Sequence, residues 1–505
     1  MKEPLTREIM AISASSIQPN RQSSSDPAPQ SLPQWAKCVQ HTAIGFDRTD
    51  LSILSGSIPV DLRGTLYRNG PARLSRGNRD VGHWFDGDGA VLGVTFTDSG
   101  ATAVYKYVQT DGYKAEEKAD RYLFGGYGSH ASDSWLGRWK GLKNAANTNV
   151  LATTDKLLAL WEGGWPHELD LETLETVGPN SLSKLTSTTP FSAHPKVDPK
   201  THEIFNFGVS FGPKNKLHLY RCNPQGTIVQ TRDHELSSAT LLHDFAMVGR
   251  YLIFCVPPLP LDLLPLIAKT KTFSEALTWK PELGTQIVMF DRNTLERVRT
   301  ITTDPWFQWH FGNGEERADG TVLLELIRYE DFETNAYVRD IPTGNPQAHA
   351  PSRLMQLHIS PNNDAVVCWE TLWDQSCEFP TVNPQVVGKP WRYTYFSTHR
   401  PGTASKSGEL YEAFGRLDRQ SGEVTISDCG AHHYISETVY APGEADRGSG
   451  SNDRGWLLSV VFNAEADRSE VWIHDADSDL GEPVCRLALP EIIPLGFHGT
   501  WRSHL

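Results

Sequence analysis

Four histidines and three glutamates recur along the chain in local contexts that suit buried, chemically active side chains. The histidines stand beside small, apolar or proline residues, as in Ser-Ala-His-Pro and Phe-His-Gly-Thr. The seven residues are His194, His243, His310, His498, Glu162, Glu378 and Glu437. A buried imidazole or carboxylate without a partner is costly. Convergence of the four imidazoles on one metal ion, with the carboxylates behind them, would remove that cost.

The residue types limit which metal this would be. Imidazole suits Zn, Cu, Fe or Ni, and four neutral ligands leave the charge of the ion available at an open position. A metal-bound histidine usually donates its other ring N–H to a carboxylate or carbonyl group, so three glutamates could serve three histidines. Any one such histidine is more often a hydrogen-bonded core residue. Only the recurrence of four favours a metal site.

Seven β-hairpins of one type predict the elements that position these residues. Each consists of an apolar strand, a polar turn and a second strand. They span Val94–Val108, Glu168–Val177, Leu217–Val229, Gln286–Val298, Met355–Val367, Gly415–Ile426 and Glu470–Leu487. If each is the outer half of a four-stranded blade, the fold is all-β, a seven-bladed β-propeller. A β-sandwich or a pair of all-β domains is the alternative.

The four histidines and three glutamates are called the ring residues, because we expect them to form a ring around the propeller axis. They follow the hairpin turns at similar distances along the sequence, with a longer insertion before Glu162. In a propeller the chain returns to the axis after each outer hairpin. We therefore expect each blade to contribute one ring residue at the same structural position. Helices are expected only near 132–146 and 261–278.

Composition and charge agree with a large all-β protein. The 505 residues include 41 Gly, 32 Pro and 15 Trp, which suits many short strands and turns. The net charge of -14 argues against nucleic acid as a partner. Residues 1–33 are rich in Ser, Gln and Pro, so we expect a disordered polar tail before a single folded domain over 34–505.

The cysteines and the apolar runs predict the compartment. The seven cysteines contain no Cys-x-x-Cys pair, which favours a reducing environment. No run approaches the roughly 18 apolar residues that a spanning helix needs, and the N-terminus lacks the apolar core of a signal peptide. We expect a cytoplasmic protein. The apolar segment 256–268 is a candidate for peripheral contact with a membrane.

Several longer motifs resemble the carotenoid cleavage oxygenase family, and within it the cyanobacterial apocarotenoid oxygenases. The resemblance runs from about Trp35 to Trp501. It is carried by Gly64–Pro71, Phe85–Gly89, Ala146–Asn149, Leu158–Gly164, Lys280–Gly284, Glu378–Pro380 and Phe497–Thr500. The sequence differs from common family patterns at Ala90, Gln109 and Ser436, and the first two could alter the cap or the substrate tunnel.

The resemblance implies a cap of loops and short helices over one face of the propeller and one Fe(II) per chain on its axis. His194, His243, His310 and His498 match the iron ligands of the family. By the same pattern Glu162, Glu378 and Glu437 orient His243, His310 and His498 respectively, and His194 has no glutamate.

The activity that the resemblance implies is O₂-dependent cleavage of a conjugated C=C bond in a lipophilic polyene. Two carbonyl products such as retinal would result, with 15,15′ cleavage favoured. Five aromatic residues flank the ring and could line the polyene tunnel, although core packing is the default for each. They are Trp165, Phe307, Trp309, Phe311 and Phe379.

Two other functions remain open at this point. A stilbene-cleaving dioxygenase would use the same chemistry on a phenolic substrate. A non-catalytic propeller that binds partners on its faces would have no axial metal. The segment Phe85–Gly89 has the spacing of part of a calcium loop but lacks the later ligands, so it is predicted to be a turn.

Overall fold

The computed structural model describes residues 32–132, 134–360, 367–403, 409–443 and 454–504. The tail predicted for residues 1–33 lies outside these ranges except for its last two residues, and the division into tail and domain stays a prediction. Within the described ranges, seven antiparallel sheets of four to six strands form a seven-bladed β-propeller. The fold predicted from the seven hairpins is therefore confirmed.

The first four blades, in the order of their outer hairpins along the chain, have these strands. Blade I comprises Phe46–Asp50, Gly64–Arg73, Asp88–Thr97, Gly100–Tyr107 and Gly499–Ser503. Blade II comprises Asn149–Ala152, Leu157–Leu160, His167–Leu169 and Thr176–Pro179. Blade III comprises Lys196–Val197, Ile204–Ser210, Lys216–Cys222 and Ile228–Glu235. Blade IV comprises Ala246–Val248, Tyr251–Val256, Thr285–Asp291 and Arg297–Thr303.

The last three blades complete the ring. Blade V comprises Phe311–Glu316, Val322–Tyr329, Ser352–Ile359 and Val367–Trp373. Blade VI comprises Cys377–Thr381, Tyr393–Thr398, Ala413–Asp418 and Glu423–Asp428. Blade VII comprises Ser52–Gly56, His433–Ile435, Val439–Pro442, Gly455–Asn463, Arg468–Asp475 and Cys485–Ala488. A separate short hairpin joins Ser75–Arg76 to Arg79–Asp80.

Both ends of the described chain close the ring by antiparallel pairing. The last strand, Gly499–Ser503, adds to Gly64–Arg73 in blade I, with Gly499 opposite Arg68. The early strand Ser52–Gly56 adds to Cys485–Ala488 in blade VII. The pairing of Gly499 with Arg68 fixes the position of His498, which directly precedes the closing strand.

Neighbouring blades pack through buried apolar side chains. Between blades III and IV, for example, Phe245 stacks on Phe254 at 5.1 Å between ring centres, and Phe207 meets Phe254 edge-on at 5.2 Å. All three rings are buried. Burial of a phenylalanine contributes about 1.5–3 kcal/mol. The stacked blades thus form a rigid support for the residues at the axis.

Helices lie mainly in the insertions between strands. The α-helices are Ala36–Gln40, Asp111–Ala119, Leu263–Ile267, Phe273–Ala276 and Glu333–Asp340. The 3₁₀ helices are Trp84–Asp86, Trp135–Trp139, Pro281–Leu283, Ile341–Thr343 and Pro384–Val386. The two predicted helical regions contain only short helices. Asp111–Ala119 and Glu333–Asp340 were not predicted, because their apolar faces are short.

A buried cluster of four charged residues fastens the insertion around helix Asp111–Ala119 to blade I. Lys143 Nζ lies 2.6 Å from Asp88 Oδ1 and 2.8 Å from Glu116 Oε2, and Arg76 Nη2 lies 2.8 Å from Asp88 Oδ2. Next to it, Asp86 accepts hydrogen bonds from the backbone N–H of Tyr127 and Gly128. The two aspartates of the Asp-Gly-Asp motif therefore bind this insertion. The segment predicted to be a turn is the junction between the 3₁₀ helix Trp84–Asp86 and the strand Asp88–Thr97.

Candidate metal centre

The four predicted histidines meet at the axis. His310 and His498 directly precede the innermost strand of their blades. His194 lies two residues, and His243 three residues, before the innermost strand. One ring nitrogen from each lies within 4.8 Å of those of the other three, and all four residues are buried. His310 Nε2 is 3.2 Å from His243 Nε2 and 3.1 Å from His498 Nε2. His194 Nε2 is buried without a hydrogen-bond partner in the described part of the chain.

Three carboxylates contact the outer nitrogens of three of these rings. His310 Nδ1 lies 2.5 Å from Glu378 Oε2, and His498 Nδ1 lies 2.9 Å from Glu437 Oε1. His243 Nδ1 contacts Glu162 Oε1. A carboxylate that accepts a hydrogen bond places the ring proton on Nδ1. The unprotonated Nε2 atoms then point their lone pairs at one another.

This donor set fits a metal ion. Unprotonated ring nitrogens cannot hydrogen-bond to each other, and their lone pairs remain unsatisfied in a buried site. A single cation between them would satisfy all four nitrogens at once.

Groups behind the carboxylates hold them in place. Glu437 Oε2 accepts hydrogen bonds from Arg68 Nη1 at 2.7 Å and from the Gly499 N–H at 2.8 Å. Arg68 also donates to Ser436 Oγ at 2.9 Å, so this serine helps to hold the arginine. Burial alone would raise the pKa of Glu437, but the facing His498 and then Arg68 bring that pKa below its ordinary value. Glu437 is thus held ionised.

Glu378 has a similar set of donors. Its Oε2 accepts from the Phe379 N–H at 2.6 Å, and its Oε1 accepts from the Tyr329 hydroxyl at 3.0 Å. Burial would raise the pKa of Glu378, yet His310 and these hydrogen bonds lower it. Glu162 is 27% exposed and contacts His243 Nδ1, and no further donor to Glu162 is found among the described residues. The three carboxylates are therefore held with unequal rigidity.

The histidine without a glutamate has an aspartate nearby that sequence reasoning missed. Asp244 Oδ1 lies 3.9 Å from His194 Nδ1 and 2.8 Å from Lys196 Nζ. Asp244 also accepts hydrogen bonds from the N–H groups of Phe245 and Phe311. Burial, and then the neighbouring histidines, hold the pKa of His194 well below its ordinary value. The signal was present in Leu-His-Asp-Phe, where the aspartate directly follows a ring histidine.

One ring residue departs from the expected position. Glu378 lies on strand Cys377–Thr381, and Glu437 lies between His433–Ile435 and Val439–Pro442, near the axis as expected. Glu162 instead lies in the turn after Leu157–Leu160, the second strand of blade II. The Glu162 side chain reaches the histidines from this turn. The prediction that each blade contributes its ring residue at the same structural position is therefore wrong for blade II.

A cavity opens on the ring. Its empty volume is about 1240 Å³, including the part that is open to solvent, and three of the four histidines line it. Of the five aromatic residues predicted for the tunnel, Trp309 and Phe379 line this cavity. Trp165, Phe307 and Phe311 are not among its described lining residues. They pack instead in hydrophobic clusters between strands, which is the default role of such residues.

Phe379 is held in a strained backbone conformation beside the ring. Its φ of 55° lies in the left-handed region, which is unfavourable for a phenylalanine. Its ring stacks on His310 at 5.5 Å and meets His498 edge-on at 5.6 Å. Strain of about 1 kcal/mol or more persists only where the surroundings enforce it. The bond from its N–H to Glu378 provides that constraint.

The cavity also has lining residues that the sequence did not single out. They include Trp84, Phe85, Tyr329, Tyr337, His399, Tyr411 and Phe497. Phe85 and Phe497 stand in the motifs Phe85–Gly89 and Phe497–Thr500, so a signal was available for them. Tyr329 ends strand Val322–Tyr329 and Tyr337 lies on helix Glu333–Asp340, whereas His399 and Tyr411 lie in loops. These residues carry no common spacing in the sequence.

Comparison with known proteins gives consistent matches. Residues 40–503 match the Retinal pigment epithelial membrane protein family. The apocarotenoid-15,15′-oxygenase of Synechocystis sp. is 34% identical, covering 89% of this chain and 92% of that protein. Resveratrol cleavage oxygenase 1 of Aspergillus fumigatus is 26% identical, and the match covers 93% of this chain and 95% of that protein. The structure of cobalt-substituted Synechocystis apocarotenoid oxygenase superposes with a TM-score of 0.83 at 31% identity, covering 93% of this chain and 98% of that one.

Proposed function

The chain belongs to the Retinal pigment epithelial membrane protein family of carotenoid oxygenases, and on this premise we propose that it cleaves one C=C bond of an apocarotenoid with O₂. The products would be two carbonyl compounds, with retinal from 15,15′ cleavage as the favoured case. The observation that carries the proposal is the convergence of four buried histidine nitrogens on one point at the base of an aromatic cavity.

His194, His243, His310 and His498 would hold one ferrous ion. The ion supplies the redox chemistry that O₂ requires to react with a closed-shell alkene. The cobalt-substituted form of the Synechocystis relative supports a metal in the same fold. Glu162, Glu378 and Glu437 would keep the proton of their histidines on Nδ1, which leaves Nε2 free for the metal.

The protein's own part in the reaction is to position the substrate. Trp309 and Phe379 offer flat apolar surfaces on which a conjugated chain can lie. A substrate that fills the buried part of the cavity would keep water from the reacting bond. Orientation of one double bond at the ring decides where the chain is cut.

Peripheral contact with a membrane would give access to such a substrate. In the segment 256–268, Leu264 is 79% exposed and Ile267 is 64% exposed, whereas Leu261 is buried. Leu136 and Trp139, on the 3₁₀ helix Trp135–Trp139, are also exposed. The two segments meet where Arg138 Nη1 donates to the Lys269 carbonyl at 3.5 Å. No helix among the described residues is long and apolar enough to cross a bilayer.

The absence of a Cys-x-x-Cys pair among the seven cysteines favours a reducing environment, which agrees with a cytoplasmic location. That location is part of the proposal.

A substrate panel with product analysis tests the proposed reaction. Iron-loaded protein is incubated in air with a C₃₀ apocarotenal and with resveratrol-like stilbenes, and the products are separated by chromatography. We expect retinal and a second carbonyl product from the apocarotenal. Cleavage of the stilbenes alone would replace the proposal by a stilbene dioxygenase, an activity that the 26% identical resveratrol oxygenase makes the main alternative. Absence of both activities in iron-loaded protein would favour a non-catalytic scaffold.

A further inference from the structure

One part of the cavity wall, formed by His399 and Tyr411, is polar and has no role in the mechanism above. Both residues line the cavity. Their rings lie 5.0 Å apart, tilted by 51°. Among the described residues, neither has a ring contact or a hydrogen bond with the four histidines of the metal centre. They therefore form a separate feature of the same cavity.

His399 has the character of a ligand-binding group. It directly follows strand Tyr393–Thr398 of blade VI. Its Nδ1 is buried and has no hydrogen-bond partner in the described part of the chain. Burial lowers the pKa of His399 to about 4, so the ring is neutral near pH 7. A neutral imidazole offers one donor and one acceptor.

An unpartnered buried nitrogen needs a partner. Buried polar groups in native proteins are almost always hydrogen-bonded, and each exception needs an explanation. Nδ1 has almost no accessible surface, so its partner would be an enclosed water, and a bound ligand would meet the ring through Nε2, which is not among the enclosed unpartnered atoms of the described residues. Nε2 needs a polar atom of that ligand as its partner. A polyene chain has no such atom along its length, but an oxygen at its end would supply one.

We propose that His399 hydrogen-bonds the oxygen of an uncharged end group, an aldehyde or an alcohol, on the polyene. This rests on the proposed function, because it takes an oxygen-bearing polyene as the ligand. Fixing one end of a rigid conjugated chain fixes which double bond lies at the histidine ring. An anionic end group is disfavoured, since Glu378 and Glu409 line the same cavity. His399 would thus determine substrate specificity without touching the reacting bond.

Binding of two matched ligands to three variants tests this. The ligands are a C₃₀ apocarotenal and the hydrocarbon that has a methyl group in place of its aldehyde. The variants are His399→Phe, which removes both nitrogens, His399→Gln, which restores a polar group, and His474→Phe as a control. His474 is also buried with an unpartnered Nδ1 and packs on an aromatic ring, Phe414, but it is not among the residues that line the cavity. Dissociation constants are measured by quenching of tryptophan fluorescence without O₂, so that no turnover occurs.

We expect His399→Phe to weaken binding of the aldehyde about tenfold, the effect of a lost neutral hydrogen bond, and to leave the hydrocarbon unchanged. His399→Gln should recover part of the loss, and His474→Phe should alter neither ligand. Equal effects on both ligands, or no effect on the aldehyde, would overturn the proposal. If His399→Phe does not fold, the ratio of the two constants in His399→Gln decides between the same outcomes.

The assay separates this inference from the proposed reaction. Failure of the wild-type protein to cleave the apocarotenal in air, with binding that still depends on His399, would refute the reaction alone. Cleavage with no dependence of binding on His399 would refute the end-group contact alone.

Discussion

Replacement of Glu378 by glutamine should weaken iron binding about tenfold while leaving the fold intact. The carboxylate lies 2.5 Å from His310 Nδ1 and is buried. Glutamine keeps the shape and can still accept from His310 and from the Phe379 N–H through its oxygen. The Tyr329 hydroxyl can reverse its direction and accept from the new amide. What is lost is the negative charge.

The size of the effect follows from that loss. A hydrogen bond to a charged group contributes about 1.5–3 kcal/mol and a neutral one about 0.5–1.5 kcal/mol. The difference of about 1–2 kcal/mol corresponds to roughly a 5- to 30-fold change in a binding constant. Glu378→Ala should have a larger effect, about 100-fold, because it leaves the His310 N–H without a partner.

Competition between the protein and a coloured ferrous chelator, without O₂, measures the iron affinity. Glu412→Gln is the matched control, since Glu412 is buried in the same part of the chain and accepts a hydrogen bond from Thr403. The control should bind iron as the wild type does. The reasoning is refuted if folded Glu378→Gln and Glu378→Ala bind iron with wild-type affinity, or if the control loses as much.

Three further predictions concern stability, membranes and pH. Arg68→Met should lower the free energy of unfolding, measured with urea, by about 3–5 kcal/mol, because it leaves the carboxylate of Glu437 without its cation. A loss below about 1 kcal/mol would contradict this prediction. Leu264→Ser with Ile267→Ser should reduce sedimentation with liposomes severalfold, and unchanged binding would remove the membrane proposal. Burial raises the pKa of Glu325 to about 7, so the folded state binds a proton more tightly than the unfolded chain. The free energy of unfolding must therefore fall as the pH rises from about 4.5 to 7. The loss is about 3 kcal/mol, and Glu325→Gln should abolish it when unfolding is compared at pH 5 and pH 8; an unaltered pH dependence in that variant would show that another group is responsible.

The blade number could be predicted because the outer hairpin of each blade is a local structure. Strands such as Ala413–Asp418 and Glu423–Asp428 are joined by a short polar turn and alternate apolar and polar residues. The closure of the ring could not be predicted in this way. Pairing of Gly499–Ser503 with Gly64–Arg73 joins segments from opposite ends of the chain, and neither segment carries a local signal for its partner.

The candidate site could be predicted where one residue type recurs at the same position of successive blades. It could not be predicted where side chains come from segments that share no common spacing. The four histidines repeat at the innermost strands. Glu162 reaches the ring from a turn of blade II, so its position does not follow from a repeat at the innermost strands. Trp165, Phe307 and Phe311 are close to ring residues in sequence, yet they pack into clusters between strands. Neighbouring residues on a strand face opposite sides, so closeness in sequence does not predict a shared cavity.

The binding of one ferrous ion by all four histidines is tested most directly by X-ray absorption at the iron edge on protein reconstituted without O₂. We expect about one iron per chain, a coordination shell of four imidazole nitrogens, and loss of the iron when His310 or His498 is replaced by alanine. Folded protein that takes up no iron, or iron whose spectrum is unchanged in those variants, would contradict the account.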